Sequence, residues 1–413
     1  MELCSQELCT GCMACYNACN HNAIKLLADK EGFLRPQIDT NYCVNCGQCS
    51  SSCPILTEKN LCGRIPTSVY ATWAQDKSTV LKSSSGGVFT LLANYVLKQH
   101  GVIFGAKFDE KTKSVIHVQI ESLDQLYLLQ GSKYVQSFVG ESFKQAEAFL
   151  KSGRKVLFTG TPCQISALHL FLRKDYDNLY TMDFVCHGVP SPGVFRWFLQ
   201  EKLNEVALEG DKNTVSLSTI TSIPKGDVLI PEGVEIKGIR FRDKCTGWKK
   251  YSFALHLAKA TADGEKIQFT LSKDLSLNPY LNGFINDLYL RPSCYNCHSK
   301  SLSSNSDFTV ADFWGQDTTF PEYDNNTGVS AVLLNTAKAK ELVESIHDIN
   351  MTEKEFGTFF QYNPSLNHCV KRKRSSAKFW KLYGRYPFAE TVRRSYKNNI
   401  IDIIIKIKQR LLK

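Results

Sequence analysis

Two cysteine runs decide how this chain is read. The first is Cys9-Thr10-Gly11-Cys12-Met13-Ala14-Cys15-Tyr16-Asn17-Ala18-Cys19. The second is Cys43-Val44-Asn45-Cys46-Gly47-Gln48-Cys49-Ser50-Ser51-Ser52-Cys53-Pro54. Both have the spacing C-x2-C-x2-C-x3-C, and the second closes on Pro. Three thiolates so spaced hold three corners of a 4Fe–4S cube, and the fourth points away to the neighbouring cube. The expected ligation is therefore crossed. Cys9, Cys12, Cys15 and Cys53 hold one cluster; Cys43, Cys46, Cys49 and Cys19 hold the other. Disulfides or two zinc sites are the alternatives. Zinc sites, however, pair one C-x2-C with a second well downstream and have no use for a third Cys at that spacing.

The double run is similar to that of bacterial two-cluster ferredoxins, and residues 1–60 are read as such an electron-carrying domain. Between the runs, Ala23–Leu27 and Phe33–Ile38 flank Asp29-Lys30-Glu31-Gly32, a hairpin with a Gly turn. At 413 residues the chain is too long for this unit alone. Three further parts are expected: residues 65–200 and 201–345 as the two portions of a second domain, and 346–413 as a basic helical tail. An apolar content of 43% fits a globular protein with a sizeable core. No run of about 18 apolar residues exists, which argues against a membrane-spanning helix. With no signal peptide read at Met1-Glu2-Leu3-Cys4-Ser5, a reducing cytoplasm is the expected compartment; it keeps thiolates available for iron. The net charge of +10 is concentrated late, at Lys371–Arg374, Arg393-Arg394 and Lys406–Lys413. No nucleic-acid motif accompanies it, so no nucleic acid is expected as partner. It reads instead as a docking surface for an acidic redox donor such as a ferredoxin, with peripheral membrane contact through the tail as the other option.

From Val69 onward strands and helices alternate, the signature of an α/β core; with its ferredoxin-type domain the whole chain is classed α/β (α+β). Strands are expected at 69–74, 102–106, 115–120, 155–159, 179–185, 236–243, 251–258 and 329–334. Helices are expected at 88–99, 140–152, 165–173, 192–203 and 337–347. Special residues follow the strands, where α/β sheets place their ligands. Ser84-Ser85-Gly86-Gly87 precedes a helix, the geometry that offers backbone N–H groups to a phosphate, although such loops commonly bind nothing. Cys163 and Cys186 each sit at a strand end, and Cys294-x2-Cys297 is a pair without partners. Those four thiols could enclose a third cluster; buried structural thiols or a zinc site are the competing readings. Cys4, Cys62, Cys245 and Cys369 fall outside every set. His187 beside Cys186 is a conceivable nucleophilic pair, but neighbours in a strand face opposite ways.

The chain resembles the beta-subunit family of deazaflavin coenzyme (F-420) hydrogenases and dehydrogenases, whose relatives include 7-hydroxymethyl chlorophyll a reductase. The matching stretches are Ser84–Phe89, Gly131–Ser137, Thr159–Gln164, Cys186-His187-Gly188, Cys294-x2-Cys297 and Asp312–Gly315. The resemblance implies an FAD-binding α/β domain with a 4Fe–4S cluster near the flavin, and so favours a third cluster on Cys163, Cys186, Cys294 and Cys297. It implies flavin contacts from Ser85, Gly86 and Gly87, from Ser132, Lys133 and Tyr134, and from the turn Thr159-Gly160-Thr161-Pro162. Lys133, Tyr134 and His187 are the polar groups expected near flavin or substrate in a catalytic role. The function expected is a flavin-dependent iron–sulfur oxidoreductase taking electrons from a low-potential donor and passing them to a small organic acceptor. The alternative is a non-catalytic electron-transfer subunit feeding a partner enzyme.

Overall fold

The computed structural model describes residues 3–57, 68–208, 228–260, 265–315, 319–324 and 326–396. Cys62 and the stretch 400–413 lie outside them.

Each cysteine run is wound around a short helix, α1 (Ala14–Ala18) in the first and α2 (Gln48–Ser51) in the second. Each begins at a left-handed residue, Met13 (φ 65°) and Gly47 (φ 78°), so the chain turns sharply inside the run. Between them β1 (Ile24–Ala28) and β2 (Leu34–Ile38) form the expected hairpin, with Ile24 opposite Ile38. Its turn is fixed by Asp29, whose Oδ1 accepts from Glu31 N at 2.9 Å and Phe33 N at 3.0 Å.

The remainder is built on a nine-stranded mixed sheet. Its elements in chain order begin with β3 (Val69–Ala74), α3 (Lys77–Lys82), α4 (Val88–Lys98), β4 (Val102–Asp109), β5 (Ser114–Ile120) and β6 (Ser137–Phe138). They continue through α5 (Ser142–Lys151), β7 (Val156–Thr159), α6 (Pro162–Leu172), β8 (Leu179–Phe184) and α7 (Pro192–Leu208). A separate antiparallel sheet follows, of β9 (Val234–Asp243), β10 (Ser252–Ala260) and β11 (Lys266–Asp274), then α8 (Pro279–Ile285). The chain returns to the large sheet with β12 (Phe308–Asp312), β13 (Ser330–Leu334), α9 (Ala337–Glu344) and β14 (Ile349–Lys354). It then runs through α10 (Phe356–Tyr362), α11 (Arg374–Leu382) and α12 (Phe388–Tyr396).

Strand order is β14-β3-β13-β12-β8-β7-β4-β5-β6. The four central strands β12, β8, β7 and β4 are parallel; β13 runs against β12 and β3, β14 against β3, and β5 against β4, with β6 parallel to β5. One sheet thus draws strands from 65–200, 201–345 and 346–413 alike. Parallel strands are covered on both faces, and their runs are correspondingly apolar, as in Val156-Leu157-Phe158. On one face α5 and α6 bury Phe143, Ile165 and Leu168 against Phe104 and Phe158. On the other, α4 and α9 bury Leu92, Val96 and Leu342 against Ile103 and Leu157. Fully burying each such side chain is worth about 1.5–3 kcal/mol.

The N-terminal domain is seated on this body. Met13 and Cys12 pack with Val139 and Phe143, and Asn17 Nδ2 donates to Gly140 O at 2.8 Å. Gly32 meets Gly193 backbone to backbone, and Ser191 Oγ donates to Glu31 O. The described part of the basic tail is likewise packed: Phe379 of α11 and Phe388 of α12 belong to the core around Trp197 and Tyr289. Among the described residues no helix is long and apolar enough to cross a membrane.

Candidate functional site

The first cysteine run folds its thiols inward. Cys9, Cys12, Cys15 and Cys53 line a single cavity, as the crossed pattern requires. The thiol of Cys4 lines it too, within hydrogen-bonding reach of Cys9 and Cys53, although its spacing gave no reason to include it. That contact, with Arg291 and Arg35 nearby, favours the thiolate of Cys9 and holds it below the usual thiol range. The backbone carbonyl of Cys9 accepts from Arg35 Nη1 at 3.1 Å and from Arg291 Nη1 at 3.2 Å. Cys19 accepts from Ala23 N at 3.3 Å, and α1 lies against α2, which brings Cys19 beside the second run. Cys46 is exposed, so that run faces solvent.

The second thiol set converges on a pocket beyond the carboxyl ends of β7 and β8, lined by Cys163, Cys186, Cys294 and Cys297. Cys163 stands in the first turn of α6. That turn is fixed by a capping box between Thr161 and Gln164, with Pro162 at its first position. Cys294 lies on the short turn Pro292–Asn296 and accepts from Val189 N at 3.4 Å. Lys300 Nζ donates to Cys186 O at 2.7 Å. Burial, reinforced by the neighbouring thiols, pushes Cys163 up to about 12 and Cys294 to about 11. Holding thiolates there calls for a cationic partner such as iron. Among the described residues no three His, Cys, Asp or Glu side chains are gathered tightly enough for a single metal ion. Cys369 packs behind Cys297, accepting from its N–H at 3.1 Å; Cys245 is exposed and lines neither thiol pocket.

The expected flavin-contact stretches meet at the same edge. Ser132 donates through N (2.7 Å) and Oγ (2.9 Å) to Ser84 Oγ. Ser85 Oγ donates to Val329 O at 2.8 Å, and Gly86 N to Ser330 Oγ at 2.9 Å. A Cβ on Gly86 would run into Thr72 O, and Gly87 (φ +96°) opens α4. Thr159 accepts through its carbonyl from His117 Nε2, 3.1 Å away.

The three polar groups expected in a catalytic role have different surroundings. Lys133 Nζ donates to the carbonyls of Leu128 (3.3 Å), Leu129 (3.0 Å) and Gln130 (2.8 Å). All three of its N–H bonds are thereby spent on its own loop, and burial pushes the amine down to about 7. Tyr134 packs its ring 4.7 Å from that of Phe284, and Phe284 meets the His187 ring at 5.4 Å. His187 lines the four-thiol pocket and is held through Nε2 by Asp287 at 2.7 Å. Tyr134 and His187 thus belong to one aromatic wall, whereas Lys133 is a loop clamp.

Comparison with known proteins gives two matches within the chain. Residues 8–56 match a 4Fe-4S dicluster domain, and residues 153–356 match the C-terminal domain of the coenzyme F420 hydrogenase/dehydrogenase beta subunit. Over residues 153–356 the chain is similar to that beta-subunit family. A chain of the F420-reducing NiFe hydrogenase complex from Methanosarcina barkeri is similar at 16% identity and TM-score 0.43, over 74% of this chain and 90% of that one. No curated protein matches. The beta-subunit match contains all four thiols of the second set; the stretches at 84–87 and 132–134 lie upstream of it.

Several residues of the site carry no sequence signal of their own. Arg242 is paired with Asp312 at 2.6 Å, and its guanidinium stands 4.5 Å over the Tyr251 ring. Its Nε and Nη2 are buried without a partner. Trp248 donates to Asp312 at 3.1 Å and stacks on Trp314 at 4.9 Å. Lys244 Nζ ties Ser85 O (2.8 Å) to Val80 O (2.7 Å) and Thr327 O (2.6 Å). Asp312 and Trp314 were visible within a beta-subunit motif; their partners on β9 and the following turn were not.

Proposed function

We propose that the chain is a flavin-dependent iron–sulfur oxidoreductase, taking electrons from a low-potential donor such as a ferredoxin and reducing a small organic acceptor in the cytoplasm. The observation that carries this reading is the convergence of Cys163, Cys186, Cys294 and Cys297 on one pocket, walled by His187 and reached from the Cys9 side through Arg291. When bound, the clusters supply one-electron steps and FAD stores two electrons and delivers them as a hydride.

The residues fit these groups. Four half-buried thiols from three segments suit a 4Fe–4S cluster. Gly86 and Gly87 allow close backbone approach at the start of α4, an eleven-residue helix whose amino end favours a pyrophosphate. The unpartnered Nε and Nη2 of Arg242 sit beside Tyr134 and suit an anionic or carbonyl oxygen. Ser85, Ser132, Tyr134 and the Thr159–Pro162 turn complete the cradle, and Lys133 holds its floor rather than the ligand. His187, oriented by Asp287, is the group best placed to hold or move a proton at Nδ1.

Anaerobically purified protein is expected to retain FAD and, once reduced, to pass electrons to free organic acceptors in a screen. Reduction of a partner protein alone, with no turnover of any small molecule, would instead identify an electron-transfer subunit. Lack of any bound flavin would overturn the proposal.

A further inference from the structure

Arg291 is wholly buried, and its charge acts on thiols of both sets, Cys9 on one side and Cys163 and Cys294 on the other. Its own N–H donates to Val189 O at 2.9 Å, and its carbonyl accepts from Cys294 N at 2.9 Å, which fixes it at the rim of the second pocket. Its side chain crosses to the first. Nη1 donates to Cys9 O at 3.2 Å, and the guanidinium carbon stands 4.7 Å over the Phe33 ring. A Cβ on Gly11 would lie 2.5 Å from Nη2, so the loop carrying Cys9 and Cys12 is moulded onto this group.

The nearby Arg35 has Asp29 as its carboxylate partner at 2.8 Å. Among the described residues no carboxylate pairs with Arg291, and its Nε and Nη2 have no acceptor. Gln136, also buried, has both side-chain polar atoms without a partner and lies against the same glycine. A buried guanidinium without an anion is strongly unfavourable. The thiols of Cys9, Cys163 and Cys294 all feel its charge.

We infer that Arg291 is a positioning residue shared by the first and third 4Fe–4S centres: it supplies the cation between their anionic ligand sets, and its unpartnered Nε and Nη2 donate to cluster or thiolate sulfur. The inference rests on the proposed third cluster. One electron leaves the reduced centre on Cys9, Cys12, Cys15 and Cys53 and arrives at the oxidised centre on Cys163, Cys186, Cys294 and Cys297; the guanidinium stays protonated throughout. A positive charge and N–H donors near sulfur stabilise the reduced state and raise its potential.

The test is an EPR-monitored redox titration of the full chain, wild type against Arg291→Gln and Arg291→Lys. Arg291→Gln is expected to keep the wild-type iron content and to move both midpoint potentials to more negative values. It should also slow electron exchange between the two centres at least tenfold in freeze-quench samples, with Arg291→Lys intermediate. Unchanged potentials and exchange rate in an iron-replete Arg291→Gln protein would overturn the inference. Should that variant not fold, wild-type protein labelled with nitrogen-15 arginine settles the matter. Pulsed EPR should show a nitrogen coupling at the reduced third centre, and its absence there counts equally against the inference. A wild-type protein with no third-centre signal would defeat the proposed function instead.

Discussion

Gly86 leaves no space for a side chain, because its backbone is pressed against Thr72 O and Ser330 N. Gly86→Ala should destabilise the protein by about 1–3 kcal/mol by overpacking and weaken FAD retention, read by urea unfolding and by flavin absorbance. His117 gives a pH-dependent effect. Burial lowers it to about 4, and its Nδ1 has no partner, so the folded state holds it neutral. The unfolded chain takes up that proton near pH 6.5. Stability from this group is therefore complete above about pH 6.5 and falls as pH drops towards 4, by up to about 1.4 kcal/mol per pH unit. His117→Phe should flatten the slope of unfolding free energy over that window; an unchanged slope assigns it elsewhere. At this scale the sequence revealed spacing but not partners. The eight N-terminal cysteines were readable from their intervals, whereas Cys163 and Cys186 were singled out by their place at strand ends and grouped with Cys294 and Cys297 with the support of the family resemblance. Lys133 was readable as a polar group but not as a clamp, because its acceptors are backbone carbonyls that any sequence would provide. Cys4 was missed for a related reason: only folding brings it to Cys9 and Cys53.

Among the elements, α6 shows how a short signal positions chemistry. The sequence reading starts this helix only at Ile165; in the structure Thr161 caps it, Pro162 is its first residue, and a capping box ties Thr161 to Gln164. Thr161→Ala should cost about 1 kcal/mol of stability, measured by denaturant titration, and loosen Cys163 at the same time. The central strands β4, β7 and β8 were legible because burial on both faces leaves apolar runs; the fourth, β12 (Phe-Thr-Val-Ala-Asp), was not read as a strand. Two edge strands were unread as well. In β11 the residues are mostly exposed, and β14 (Ile-Asn-Met-Thr-Glu-Lys) has little apolar pattern; both take their strand form from a neighbour rather than from their own composition. The short helix α3 rests on one cap, Asp76, which accepts from Ser78 and Thr79.

For the whole molecule, the arrangement that matters is the seating of the dicluster domain on the α/β body. Gly32 and Gly193 meet so closely that a Cβ on Gly32 would lie 2.5 Å from Gly193 Cα. Gly32→Val should pry the two apart without touching a thiol. Electron exchange between the N-terminal and third centres should slow at least tenfold at unchanged iron content, as followed by freeze-quench EPR. Nothing in the sequence pointed to this contact, since each glycine alone reads as a turn or a helix start. The central claim, that a third cluster links the dicluster domain to the flavin site, is tested most directly by iron analysis of the anaerobically reconstituted protein beside its Cys163→Ser, Cys294→Ser double variant. The structure predicts about twelve irons per wild-type chain and about eight in the variant; about eight in both would contradict it.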